Sequence, residues 1–78
     1  MREVEDIRKD LLEIFGRVLQ RPAIPPEVSF FDLGGSSLAA IQIAAMVEER
    51  YGIPMDVIEV FETKGLEDLS LKVHSRLA

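Results

Sequence analysis

Apolar residues recur at steps of three and four over most of this chain, and this spacing limits the folds open to it more than any other feature. The three longest stripes are Val4, Ile7, Leu11, Ile14 or Phe15 and Val18; Ala40, Ile43 or Ala44, Val47 and Tyr51; and Leu66, Leu69, Val73 and Leu77. Such steps place apolar residues on one face of a helix, and no segment alternates as a strand would. The pattern predicts helices over about residues 3–20, 37–51 and 66–77, the second ended by Gly52 and Pro54.

A short further helix is predicted between the second and last of these. Asp56 can cap it, and Val57, Val60 and Phe61 supply its apolar side. The predicted fold class is therefore all-α, a small four-helix bundle with three main helices and a short third one.

The chain has 78 residues and no cysteine. This length predicts a single domain over residues 1–78, with one small core and little room for a deep catalytic pocket. Without a thiol the chain can form no disulfide, thiolate metal site or thioester of its own. We therefore expect a protein that binds or carries rather than an enzyme.

A long connection without helical spacing joins the first two predicted helices. Pro22, Pro25 and Pro26 exclude regular helix at its start. We expect it to be held by an apolar cluster inserted into the core, namely Phe30, Phe31 and Leu33.

Gly16 interrupts the first predicted helix, where a glycine costs about 1 kcal/mol relative to alanine. Two explanations remain open. Either another part of the backbone packs closely there, or the helix is simply weakened.

The charge of the chain is concentrated in its middle. Its net charge is −5, but residues 27–68 hold nine acidic residues against two basic ones, a local charge of −7. This acidity argues against nucleic acid as a ligand and favours partners that present Lys and Arg.

The longest uncharged apolar stretch, residues 36–47, is too short to span a membrane, and the acidic N-terminus lacks a secretory apolar run. We expect a cytoplasmic protein.

Candidate catalytic and metal-binding groups are few. His74 is the single histidine, far in sequence from the loop serines, and is expected to be solvated or packed. The adjacent acids Glu48–Glu49 and Glu67–Asp68 point in different directions on a helix, and no ligand spacing predicts a metal site.

The segment 33–38 reads Leu-Gly-Gly-Ser-Ser-Leu and predicts a glycine turn that brings a serine hydroxyl to the start of a helix. The first-turn amides and the helix dipole favour an anion there, so a phosphate ester would be stabilised. Gly34 and Gly35 leave the hydroxyl open to a modifying enzyme. Taken alone, the fragment is better explained if Ser36 or Ser37 only caps the helix, a role that serine fills very commonly.

The flanking residues extend this motif. The run 30–38 reads Phe-Phe-Asp-Leu-Gly-Gly-Ser-Ser-Leu, followed by Tyr51-Gly52 and then Val60-Phe61-Glu62. From about Val4 to Leu77 the chain resembles the peptidyl carrier, or thiolation, proteins of nonribosomal peptide synthesis, part of the acyl-carrier superfamily. The resemblance implies that Ser37, directly before Leu38, carries 4′-phosphopantetheine, and that Gly34, Gly35 and Leu38 surround the attachment site.

The same resemblance implies a role and partners in secondary metabolite biosynthesis. The thiol of the arm would hold an aminoacyl or peptidyl group as a thioester. A phosphopantetheinyl transferase would attach the arm, an adenylation enzyme would load it, and condensation, thioesterase or tailoring enzymes would use the load. The carrier is expected to be a monomer that binds neither membrane nor nucleic acid.

The chain departs from the family's pattern at two places. Position 36 is serine where the family more often has His, Asp or Asn. Lys64-Gly65 stands where the family usually has Pro-Thr, so the last helix is expected to begin less sharply.

The Gly-Gly pair and the uncharged run 38–42 favour a peptidyl carrier over the alternative, an acyl carrier of a polyketide or fatty-acid-type pathway. An unmodified helical interaction module is a third hypothesis. Met1 close to the first helix suggests a freestanding carrier, although an excised domain with an added methionine would look the same.

Some apolar residues remain after the core stripes are assigned. Leu38, Ile41 and Ala45 form a second line on the second predicted helix, Met46 lies beside it, and Ile58 falls outside the core set of the third. They either broaden the core contact or form a docking patch beside Ser37. We expect the patch, made of Leu38, Ile41, Met46 and Ile58, with methionine suited to several partners.

Overall fold

Four helices account for most of residues 3–77, the part of the chain that the computed structural model describes. They are α1 (Val4–Leu19), α2 (Ser37–Tyr51), α3 (Val57–Phe61) and α4 (Leu66–Leu77). No strand occurs in this range, so the predicted all-α, four-helix fold class is confirmed. Residues 1, 2 and 78 of the predicted single domain lie outside the described residues. None of the four helices is long and apolar enough to cross a bilayer.

The core lies where α1 packs against α2 and α4, and α2 packs against α3. It contains the central residues of the predicted stripes, with Ile7, Leu11, Ile43, Val47, Leu69 and Val73 fully buried. The stripe residues Val4, Val18 and Tyr51, near helix ends, are only partly buried. Leu77, at the end of its stripe, is 37% exposed because the last turn of α4 extends past the core. Ile24 and Met55, which belong to no periodic stripe, are also buried and close the core from the connecting segments.

Ion pairs on the surface join the helices in pairs. The Arg50 guanidinium of α2 lies 3.2 Å from the Asp10 carboxylate and 3.3 Å from that of Glu13, both on α1. The Tyr51 hydroxyl donates a 2.6 Å hydrogen bond to Asp10. On the other side of α1, Arg8 donates to both carboxylate oxygens of Glu67 on α4, at 2.9 and 2.6 Å. These contacts fix how the helices sit against one another more than they add stability, since exposed pairs each contribute about 0–1 kcal/mol.

The start of α4 is capped by the connection between α1 and α2. The Glu67 amide donates to the Pro26 carbonyl at 3.0 Å, and the buried Thr63 hydroxyl donates to the Gly65 carbonyl at 2.8 Å. Gly65 has a φ of +152°, and a Cβ added there would lie 2.5 Å from the Pro26 oxygen. Glycine is therefore required by this close approach, and α4 begins at Leu66, within the range that its spacing predicted.

Helix α3 has only five residues and is held at both ends. Asp56 caps it, accepting from the Ile58 amide at 3.0 Å, while the Glu59 carboxylate accepts from the Asp56 amide at 2.9 Å. Glu59 also pairs with Arg76 of α4, whose guanidinium donates to the Pro54 carbonyl at 3.1 Å as well. A helix this short is not stable by itself, so these contacts and its packing on α2 keep it in place.

The Glu59–Arg76 pair predicts a specific loss of stability in acid. The hydrogen bond from Arg76 lowers the pKa of Glu59 below the ordinary value of a glutamic acid, about 4.3. The stabilisation that the Glu59–Arg76 pair gives to the folded state is therefore complete above the ordinary pKa of a glutamic acid. It is lost as the pH falls through the lower pKa that Glu59 has in the folded protein. Glu59→Gln keeps an acceptor for the Asp56 amide but removes the charge. We expect the difference in melting temperature between wild type and Glu59→Gln to be largest near neutral pH and to shrink below about pH 4.

The matched control is Glu49→Gln, which removes an exposed carboxylate from α2. Its effect on the melting temperature should change much less over the same titration. A Glu59→Gln difference that stays constant from neutral pH to pH 3 would show that the ion pair does not couple α3 to α4.

Candidate functional site

The two serines of the glycine turn have different roles in the structure. Ser36 is the N-cap of α2, and its hydroxyl accepts a 3.2 Å hydrogen bond from the Ala39 amide. Ser37 is the first helical residue, is exposed, and its hydroxyl makes no hydrogen bond within residues 3–77. The capping explanation of the motif therefore applies to Ser36, whereas the Ser37 hydroxyl is free to react.

The two glycines that precede them are required for different reasons. Gly34 is exposed and has a φ of +82°, which most other residues avoid, and nothing surrounds the position of a Cβ. Gly35 has no such φ, but a Cβ there would lie 2.3 Å from the ring of Phe30. The turn thus needs one glycine for its backbone conformation and the other for its contact with the core.

Phe30 anchors this turn. Its side chain is fully buried and meets Phe15 of α1 and Phe61 of α3 edge to face, with ring centroids 6.3 and 5.5 Å apart. Its carbonyl accepts from the amides of Leu33, at 3.2 Å, and Gly35, at 3.1 Å. Leu33 is also buried, so two of the three residues expected to insert into the core do so.

The prediction that Phe31 inserts into the core is wrong. Its side chain is 64% exposed and packs over Phe61 with a centroid distance of 5.0 Å. Phe30 fills the available space between α1 and α3, so the adjacent residue points outward and covers the outer side of Phe61.

Three further apolar side chains are exposed on α2 and α3. Leu38 is 64% exposed, Ile41 51% and Ile58 55%. Together with Phe31 we call them the apolar surface. Three of its members, Leu38, Ile41 and Ile58, were selected from the sequence as surplus to the core stripes, while Phe31 was missed because two adjacent aromatic residues give no periodicity.

Met46, the fourth member of the predicted docking patch, lies elsewhere. It is half-buried against the core and lines a groove between α1 and α2 with Ile14, Arg17, Glu49 and Arg50. At about 100° per residue it lies roughly 140° around α2 from Ile41, on the side facing α1. The structure therefore separates Met46 from the apolar surface.

The start of α2 fits a phosphate ester on Ser37. The first turn of this 15-residue helix has no acidic residue, and its amides and dipole favour a negative charge. The outward position of Ser37 leaves room for an attached chain. His74 is half-buried in the last turn of α4, and no group of acids and histidines in residues 3–77 is placed to hold a metal ion.

Comparison with known protein families identifies the family to which the chain belongs. The family described as "phosphopantetheine attachment site" matches residues 9–73, which include the turn, α2 and α3. The chain belongs to this family. Its members carry 4′-phosphopantetheine and are carriers rather than enzymes, which confirms the predicted cofactor and the predicted absence of catalytic activity.

Relatives and solved structures agree with the predicted resemblance to peptidyl carriers. Nonribosomal peptide synthetase 5 of Aspergillus fumigatus is 34% identical over 79 aligned residues, covering 90% of this chain but 4% of that protein. BlmI, a type-II acyl-carrier-protein from Streptomyces verticillus involved in bleomycin biosynthesis, has a TM-score of 0.90 at 28% identity and covers 96% of this chain and 90% of BlmI.

A chain in the complex of the phosphopantetheine transferase Sfp with coenzyme A and a peptidyl carrier protein has a TM-score of 0.84 at 30% identity. The match covers 90% of this chain and 91% of that one. The chain is a carrier of the thiolation type, and it spans about 4% of the length of the synthetase it matches.

The Phe30 contact predicts that replacing Gly35 destabilises the fold more than replacing Gly34 does. In Gly35→Ala the new Cβ must displace a fully buried ring, and overpacking of this kind costs about 1–3 kcal/mol. Gly34→Ala meets no neighbour and incurs only the cost of its positive φ, about 1 kcal/mol. Urea unfolding of both variants measures the difference. Equal losses at the two positions would mean that the Phe30 ring yields, so that Gly35 is not needed for packing.

Proposed function

We propose that Ser37 is the residue that carries 4′-phosphopantetheine. The observation that carries this proposal is that Ser37 is exposed and its hydroxyl has no hydrogen-bond partner among residues 3–77, while the hydroxyl of Ser36 accepts from the Ala39 amide. Gly34 and Gly35 keep the approach to Ser37 free of side chains, and Leu38 follows it on the helix.

The modification is a simple group transfer. With coenzyme A as donor, the Ser37 hydroxyl loses its proton and forms a phosphodiester bond to the pantetheine phosphate. The bond to adenosine 3′,5′-bisphosphate breaks, and that group leaves. The negative charge of the new phosphodiester lies at the start of α2, where the first-turn amides stabilise it. We propose that this reaction takes place in the cytoplasm.

Alanine variants of the two serines should separate capping from modification. Ser36→Ala removes the cap of α2, at a cost of about 1 kcal/mol of stability, but leaves the Ser37 hydroxyl available. Ser37→Ala should abolish phosphopantetheinylation while changing the stability by no more than about 0.5 kcal/mol, because its exposed hydroxyl makes no hydrogen bond within residues 3–77. Each variant is incubated with coenzyme A and a phosphopantetheinyl transferase, and intact-mass spectrometry detects the modification. Urea unfolding measures the stability. Modification of Ser37→Ala would contradict the assignment.

The group carried on the arm is proposed to be aminoacyl or peptidyl. The thiol at the end of the arm supplies the group that this cysteine-free chain lacks, so the load is held as a thioester. The similarity to nonribosomal peptide synthetases supports an amino acid activated by an adenylation enzyme, followed by condensation, thioesterase or tailoring enzymes. The acyl carrier alternative has its own support, since BlmI is described as an acyl-carrier-protein and has the same fold.

Competitive loading distinguishes these two loads. The holo protein should be acylated by adenylation enzymes with an amino acid and ATP, and not by transferases that use malonyl or long-chain acyl donors. Thioester formation is followed by intact mass. Acylation by the acyl donors alone would establish the acyl carrier alternative.

The apolar surface of Phe31, Leu38, Ile41 and Ile58 is proposed as the docking site for these enzymes. Phe31, Leu38 and Ile41 lie within six residues of Ser37 in the chain, and Ile58 lies on α3, which packs on α2. About half or more of each of these side chains is exposed. The acidic residues of this region, among them the exposed Asp32 and Glu62, favour a partner with Lys or Arg around an apolar centre. The carrier is proposed to act as a monomer and to bind the partners one at a time.

A charge introduced at Ile58 should weaken loading without unfolding the chain. Ile58→Glu is expected to change the stability by no more than about 0.5 kcal/mol. It should also lower the kcat/KM of arm attachment or loading by about fivefold or more, the range for residues central to an interface. The control is Leu71→Glu, which makes the same change at a side chain of similar exposure, 52% against 55%, on α4. Met46→Glu should instead destabilise the fold, because Met46 packs against the core. If Ile58→Glu and Leu71→Glu load equally well, Ile58 is not part of the docking site.

A further inference from the structure

Arg21 connects the end of α1 to the turn that presents Ser37. Its backbone is held against α1, because the Arg21 amide donates to the Gly16 carbonyl at 3.1 Å and Gln20 takes a left-handed conformation with a φ of 55°. A Cβ on Gly16 would lie 3.2 Å from the Arg21 oxygen. The glycine inside α1 is thus explained by a close approach of the backbone, and Arg21 starts from a fixed position.

The side chain of Arg21 reaches across twelve residues to the turn. Its Nη1 donates a 3.2 Å hydrogen bond to the carbonyl of Leu33, directly before Gly34. No carboxylate pairs with Arg21 within residues 3–77, so its guanidinium is committed to this one carbonyl in the described part of the chain.

The other polar contacts of the turn are local. The Gly34 amide donates to the Phe31 carbonyl at 2.9 Å, and the Gly35 amide donates to the Phe30 carbonyl at 3.1 Å. Among the hydrogen bonds that residues 33–35 make within the described part of the chain, only the one from Arg21 comes from outside the segment 29–35. The Phe30 ring contacts the turn from the core, and the Arg21 side chain contacts it from the end of α1.

From this geometry we infer that Arg21 is a positioning residue for the modification of Ser37. It keeps Leu33 and the following glycines in one arrangement, so that the free hydroxyl of Ser37 is already placed when a transferase binds. This inference rests on the proposed attachment at Ser37. Loss of the contact lowers the fraction of molecules in the competent arrangement, and the apparent affinity for the carrier falls by the same factor.

The test uses Arg21→Ala, Arg21→Lys and, as a control, Arg17→Ala. Arg17 also lies near the end of α1, with a side chain 68% exposed and 3.9 Å from Glu13, and its loss changes the charge equally. Two quantities are measured for each variant. They are the hydrogen-exchange rates of the Gly34 and Gly35 amides in unmodified protein without transferase, and the kcat and KM of phosphopantetheinylation with coenzyme A and Sfp.

Arg21→Ala should speed amide exchange at Gly34 and Gly35 and raise the KM for the carrier about three- to tenfold at an unchanged kcat. Arg21→Lys keeps a donor and should recover part of both effects, while Arg17→Ala should match wild type. Unchanged exchange in Arg21→Ala would overturn the inference even if its KM rose, since Arg21 would then act by touching the transferase. Equal effects in Arg17→Ala would also overturn it. Failure of the wild-type protein to accept the arm would contradict the proposed function, and the exchange data on unmodified protein would still report whether Arg21 orders the turn.

Discussion

The burial of the Phe30 ring is the contact on which the rest of the site depends. This single side chain meets α1 through Phe15 and α3 through Phe61, and it lies directly under Gly35. Its carbonyl also closes the turn that follows. The position of Ser37 at the start of α2 is therefore determined by the core itself, even though the connection that leads to it has no regular structure.

The helices were predictable from the sequence because their stability comes from one periodic apolar face. The bounds of α2 follow from Ser36, Gly52 and the stripe between them, and the structure places the helix at Ser37–Tyr51 as expected. The same reasoning found Leu38, Ile41 and Ile58, since residues that do not fit a core stripe must face elsewhere. The Ser37 assignment came from the family resemblance, and the difference between the two hydroxyls emerged only with the structure.

Burial could not be predicted in the same way for the connection between α1 and α2. Its residues follow no helical or strand period, so their positions in the sequence do not show which side chains face the core. Phe30 and Phe31 are chemically identical neighbours, and only the space between α1 and α3 decides which one is buried. Met46 was misplaced for a related reason, since an apolar residue at the margin of a stripe can face either neighbouring helix. The hydrogen bonds that the Pro26 carbonyl accepts from Glu67 and the Leu33 carbonyl accepts from the Arg21 side chain join residues far apart in the chain, and such contacts leave no pattern in the sequence.

The exposed position of Ser37 has a consequence for the group that is attached there. On the proposed assignment, a group attached at the start of α2 extends into solvent, because Ser36, Ser37 and Leu38 are all exposed. An exposed attachment point of this kind gives the carrier little means of selecting its load or of shielding a thioester from hydrolysis. On the proposed assignment, both the choice of the load and its protection from water fall to the enzymes that receive the arm, and the carrier's own part is to be recognised by each of them in turn.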